Sequence, residues 1–130
     1  MGNAGLVHQL RMMHANAGDP DLLMAEFRAA LLYVPQDAHG RVWSGDRGGI
    51  RWIHAFTSEA QLAAFAEKSG HREPELAYLT VRGARLLDVA VPAVGQPAGV
   101  ALDAAGTAGM LFPPMRGIVP DTAALDGGAA

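Results

Sequence analysis

Between Leu31 and Phe112 the chain repeats short β-type runs, LLYVP, IRWIHAF, YLTV, GVALD and MLF. One capped helical stretch, TSEAQLAAFAEKSG, lies between the second run and the third. Runs of this length, bounded by Gly, Pro, Asp and Ser, read as strands rather than turns of a helical bundle. With helical patterns before and among them, they predict an α/β (α+β) fold. Its expected form is a mixed β-sheet of about five to six short strands with helices packed on it, in the order ααβββαβαββ.

The helical pieces carry their own punctuation. From Ala4 to Ala15, Leu6, Val7, Leu10, Met13 and His14 recur at helical spacing, with Gly18 as the expected stop. Asp19-Pro20 then restarts the chain, a capping carboxylate followed by a proline at the first helical position. Leu23, Phe27 and Ala30 form the inward stripe of this second helix. Packing on the sheet is the ordinary role for the pair; self-association through Met12-Met13 is the alternative. In the central helix Ser58 and Gln61 make a capping-box pattern, Leu62, Phe65 and Ala66 give the buried stripe, and Gly70 closes it.

Strand signals predict a hairpin of Arg41–Ser44 and Ile50–Phe56 around GDRGG. In its second arm Ile50, Trp52, His54 and Phe56 share one face, and Arg51, Ile53 and Ala55 the other. A strand apolar on both faces belongs in the middle of a sheet, which assigns Trp52 to the core. HREPE is a polar loop, Ala77–Val81 a strand, and Gly83–Val91 a short helix with Leu86, Leu87 and Ala90 inward. Pro92 and Pro97 then bracket a loop. Gly99–Leu102 and Gly109–Phe112 form the last hairpin. A β–α–β crossover from Ile50 to Val81 would be right-handed if its strands are parallel.

A length of 130 residues suits a single domain, 1–130, with its core at about 19–114, an N-terminal helix in 1–18 and a weakly ordered tail in 115–130. Within that tail Ile118, Val119 and a helical turn over Asp121–Leu125 can still dock, and the final GGAA is expected to be disordered. Half the residues are hydrophobic and 18% charged, the balance of a globular protein. A net charge of −3 without a basic stripe speaks against nucleic-acid binding. Cysteine is absent, which removes disulfides, thiolate nucleophiles and Cys-based metal sites together. No signal peptide and no apolar run of ~20 residues is present, so the expected setting is the cytoplasm, with no membrane contact.

Little in the chain spells out chemistry. His8, His14, His39, His54 and His71 lack the spacing that sets two imidazoles side by side, so no metal or other cofactor is expected. Ser44 has no G-x-S-x-G elbow, and GDRGG lacks the Lys-Ser/Thr of a phosphate loop. Asp37 and Asp103 each follow a strand and read as turn residues bonded to the backbone just after them. What stays unassigned is the hairpin: Trp43, Arg47, Arg51 and His54 form a candidate interaction surface for a protein partner or a second copy. The leading expectation is thus a non-catalytic binding or adaptor module. Its rival is a small-ligand-binding protein or enzyme with a pocket around His54, Asp37, Asp103 and Arg51.

The series LLYVP, HAFTSEAQLAAFAE, YLTVRGARLLDV and GVALDAAGTAGMLFPP resembles the N-terminal domain of the SseB-like (enhanced serine sensitivity protein B-like) family. The matching positions are Tyr33 and Pro35; Phe56, Thr57, Glu59, Leu62 and Phe65; Leu86 and Leu87; and Gly99 through Gly106. The resemblance runs from about Ala25 to Pro114 and rests on cap, core and turn residues. A turn that often reads asparagine-proline-glycine in the family is Asp103-Ala104-Ala105-Gly106 here, and the further C-terminal domain of some members is not expected. The resemblance implies a bacterial cytoplasmic protein and no established enzyme activity.

Overall fold

The computed structural model describes residues 3–70 and 76–126; the HREPE loop and the GGAA end lie outside them. Helix α1 (Ala4–His14) buries Leu6 and Leu10. It stops before the expected Gly18, because Asn16 takes the left-handed position with φ 59°, a region asparagine visits more readily than most residues. Helix α2 (Pro20–Ala29) starts as its punctuation requires. Asp19 Oδ1 accepts from the Asp21 N–H at 2.9 Å, and Pro20 opens the helix.

The strands are β1 (Leu31–Pro35), β2 (Ser44–Arg47), β3 (Ile50–Ala55), β4 (Tyr78–Arg82), β5 (Ala98–Leu102) and β6 (Met110–Phe112). Helix α3 (Glu59–Lys68) follows β3, with Ser58 Oγ accepting from the Gln61 N–H at 3.1 Å. They form two ladders, β1–β4 and β2–β3–β5–β6, in which only β3–β5 is parallel. Backbone bonds stitch the ladders together. Tyr33 and Phe56 exchange N–H···O=C bonds of 2.9 Å each; Trp43 donates to Pro35 C=O (2.9 Å) and accepts from His54 N–H (3.0 Å). β1 and β2 therefore lie end to end along one edge of β3, with β5 along the other.

This is the expected mixed sheet with some different neighbours. The Ile50–Val81 crossover does not join paired strands: β4 is antiparallel to β1, and the parallel neighbour of β3 is β5. Every residue of β5 is buried, as a strand covered on both faces should be. The hairpin also shifts. Its first arm is Ser44–Arg47, not Arg41–Ser44, because Gly48 and Gly49 make the reversal alone with φ 63° and 81°. The polar Gly45-Asp46-Arg47 can be a strand there because it is an exposed edge.

The segment after β4 runs further than expected. It comprises α4 (Gly83–Arg85), a π-helix (Leu86–Ala90) and α5 (Val91–Ala93). Pro92 lies inside this unbroken helical run, directly after the π-helical turn, and the chain stays helical through Ala93, so it does not end the helix in the way expected. Leu86, Leu87 and Val91 are buried, whereas Ala90 is half-buried.

One hydrophobic cluster joins α1, α2, the π-helix and α5 to the sheet, and includes Leu6, Leu10, Phe27, Leu32, Val34, Ile53, Val100 and Phe112. Within it the Phe27 and Phe112 rings stack with centroids 4.2 Å apart. Val119 joins the cluster and Ile118 packs against it, followed by a 3-10 turn at Asp121–Ala123. Helix α3 covers the opposite face, carrying Phe65 over Phe56 and His54. Trp52 shares that second face, away from the main cluster, and is half-buried rather than core.

Candidate functional site

The alternation of β3 fixes the site. Ile53 and Ala55 point into the main cluster, so His54 points the other way, toward α3. The Phe65 ring lies 4.5 Å from the imidazole, centroid to centroid, and 6.1 Å from the Trp43 indole. Phe56 lies nearly parallel to His54 at 6.5 Å. Together Trp43, His54 and Phe65 line a cleft of about 490 Å³, rimmed by Asp37, Arg41, Arg51, Ser44 and Ser69.

His54 is the unusual member. Its Nδ1 is buried without a hydrogen-bond partner, and burial lowers its pKa below the ordinary histidine value. The imidazole is therefore neutral at pH 7, with one ring nitrogen unsatisfied. The rim is polar and already paired. Arg51 grips Asp46 with Nε–Oδ1 at 3.0 Å and Nη2–Oδ2 at 3.1 Å, directly across the β2–β3 ladder. Arg41 Nε lies 3.4 Å from Asp37 Oδ2. Asp37 Oδ1 accepts from the backbone of Arg41 (3.0 Å) and His39 (2.8 Å), and these bonds lower its pKa. That is the turn geometry expected of Asp37. Both ion pairs are exposed and hold little energy, so an incoming polar group can exchange with them.

Of the four hairpin residues singled out in the sequence, Trp43, Arg51 and His54 line the cleft. Arg47 sits beside the Gly48-Gly49 turn and does not line it. Asp103 is elsewhere. It is buried at the end of β5 with φ 52°, where Oδ1 accepts from Thr57 N–H (2.8 Å) and Oδ2 from the Thr57 hydroxyl (2.7 Å). The Asp103 carbonyl does close a turn with the Gly106 N–H. Its side chain, however, reaches back across the sheet instead of bonding the residues just after it. Burial raises its pKa, and the two Thr57 bonds oppose the rise. The residue clasps the ends of the parallel strands β3 and β5.

Phe65 of α3 and Ser69, which caps its C-terminus, belong to the cleft although neither stood out as a site residue in the sequence. Phe65 read as core stripe, and the buried stripe of a helix does not reveal which of its members ends at an opening. His14 Nε2 lies 2.6 Å from Gly109 C=O, remote from the cleft. Among the described residues no three His, Asp or Glu side chains are grouped to hold a metal ion. None of their helices is long and apolar enough to cross a membrane.

Fold and site define an α+β protein with a mixed sheet, helices on both faces, and an aromatic-floored cleft beside its hairpin. The chain belongs to the SseB family: the model of the SseB protein N-terminal domain matches residues 6–116. No curated protein and no solved structure matches the chain significantly.

Proposed function

We propose that this chain is a non-catalytic protein-binding or adaptor module of the bacterial cytoplasm, and that a partner docks at the cleft of Trp43, Arg51 and His54. The observation that carries this reading is the buried, unpartnered Nδ1 of His54 among Trp43 and Phe65. An orphaned polar atom in an aromatic setting is costly alone and gains most from a partner group that bonds it while excluding water. An apolar partner side chain would lie on Trp43 and Phe65, and a polar group beside it would meet His54. Arg51 and Arg41 offer the rim to acidic or carbonyl groups, and Arg47 extends the contact beyond it.

Pull-down from native cytoplasm with wild type and with Trp43→Ala and Arg51→Glu tests this. The expected result is a defined prey captured by wild type and lost in both variants, with their melting temperatures close to wild type. The same prey in all three would overturn the docking surface. A second reading, a small-ligand site, draws on Asp37, Arg51 and His54 lining one cleft. There, His54→Ala abolishes binding of a small molecule with stability nearly intact; if the change mainly lowers the melting temperature, His54 is a packing residue.

A further inference from the structure

The outer edge of β4 is built differently from the other free edges of the sheet. Bonds from Gln36 N–H to Ala77 C=O and from Gly83 N–H to Ala30 C=O set the phase of the β1–β4 ladder. Leu79 and Val81 therefore turn their backbone groups toward β1, and Tyr78, Thr80 and Arg82 turn theirs outward. No strand among the described residues pairs with that edge. The strand contains no lysine, proline or bulge, the usual devices that blunt an edge. Tyr78 and Leu79 are 37% and 44% exposed, and the adjoining Leu31 is 43% exposed. By contrast β2 is guarded by Asp46 and Arg47, and β6 is only three residues long.

We propose that two copies of this chain pair antiparallel through their β4 edges, about a two-fold axis at Thr80. In that register Thr80 lies opposite itself and Tyr78 lies opposite Arg82 of the other copy. Every outward N–H then meets an outward C=O. The charges agree as well. Partial desolvation, then the nearby Glu59 carboxylate, raise the Tyr78 hydroxyl pKa, which places an acidic group at the Tyr78 end of the edge. At the other end Arg82 is exposed while its Nη1 donates to Ala29 C=O at 2.6 Å. The two-fold brings the basic end of each copy onto the acidic end of the other. Moving the axis to Arg82 would instead set guanidinium against guanidinium. Such a two-fold contact uses both edges and closes, so it yields a dimer and not a fibre. It leaves the cleft free and stands whether or not the cleft binds a partner.

Thr80→Pro tests the edge directly. The Thr80 N–H points away from β1, so proline removes a dimer bond and no bond of the fold. Sedimentation velocity over a wide concentration range should show wild type passing from monomer to dimer. Thr80→Pro should dimerise about tenfold more weakly or worse, since each copy loses a donor. The cysteine-free chain allows a second test that does not depend on how proline is tolerated. Opposed residues of a hydrogen-bonded antiparallel pair have Cα and Cβ atoms about 5.5 Å apart, too wide for a direct disulfide but within the span of a short bis-maleimide, so Thr80→Cys should be cross-linked to a covalent dimer by that reagent. Glu67→Cys on exposed α3 should not. A wild type that stays monomeric at high concentration, a Thr80→Pro dimer as strong as wild type, or Thr80→Cys that fails to cross-link would each overturn the proposal. Trp43→Ala should dimerise normally, which separates this surface from the cleft.

Discussion

His54 and Asp103 are both ionisable groups drawn out of water, and they tilt stability in opposite directions with pH. His54 has a lowered pKa because burial disfavours the imidazolium. As pH falls below the ordinary histidine value, the unfolded chain takes up a proton that the folded one still refuses, so stability is lost on acidification. Melting temperature should therefore fall more steeply from neutral to mildly acidic pH in wild type than in His54→Phe; parallel slopes would show that His54 is not linked to folding. Asp103 has a raised pKa, so its contribution is fullest below the unfolded carboxylate value and is lost as pH rises through the folded one. Asp103→Asn keeps an acceptor for Thr57 N–H, offers a donor to the Thr57 hydroxyl, and tolerates φ 52°. It should be as stable as wild type or more so at neutral pH, with any gain shrinking toward acid. Asp103→Ala should cost about 1–3 kcal/mol in denaturant unfolding, because the Thr57 groups lose their partner. The face on which His54 lies was legible from the alternation of β3. The role of Asp103 was not, because its partner lies 46 residues earlier and no local pattern joins them.

At the scale of the elements, local signals were readable and non-local ones were not. The Asp19-Pro20 start and the Ser58 cap are decided within one helical turn, so the sequence shows them directly. The neighbour of β3 is decided by which buried strand can cover its far edge, and β5 lies more than forty residues on, beyond any periodicity. The hairpin falls between these cases. Its existence was plain from GDRGG, but its register depended on which residues adopt positive φ, and the two adjacent glycines settle that. Gly49→Val should destabilise by about 1–2 kcal/mol because a β-branched residue is strained in the left-handed region. Gly48→Asn should cost much less, since asparagine suits such turns. Thermal melts of the two variants decide this, and equal losses would mean that the turn is not held as described. Gly83 is a different case: an added Cβ would collide with the carbonyl of Phe27, so Gly83→Ala should part α4 from α2 and lower the melting temperature.

For the whole molecule the decisive contacts are the few backbone bonds that join the two ladders. Tyr33 and Phe56 bond one another, and Trp43 is held on one side by Pro35 and on the other by His54. The cleft therefore sits on the seam between the ladders, and its aromatic floor is part of what keeps them in register. If the ladders open as one unit, the amides of Tyr33, His54 and Phe56 should exchange with solvent together, as slowly as those of β5. The outward amides of Tyr78, Thr80 and Arg82 should behave otherwise. They should exchange quickly in dilute protein, where β4 is a free edge, and slowly in concentrated protein, where a second copy pairs with them. Amide exchange followed by NMR at two concentrations reads both effects in one experiment. Fast exchange at Tyr33 and Phe56 would show that the ladders move separately. Concentration-independent exchange at Thr80 would leave β4 unpaired and refute the dimer edge.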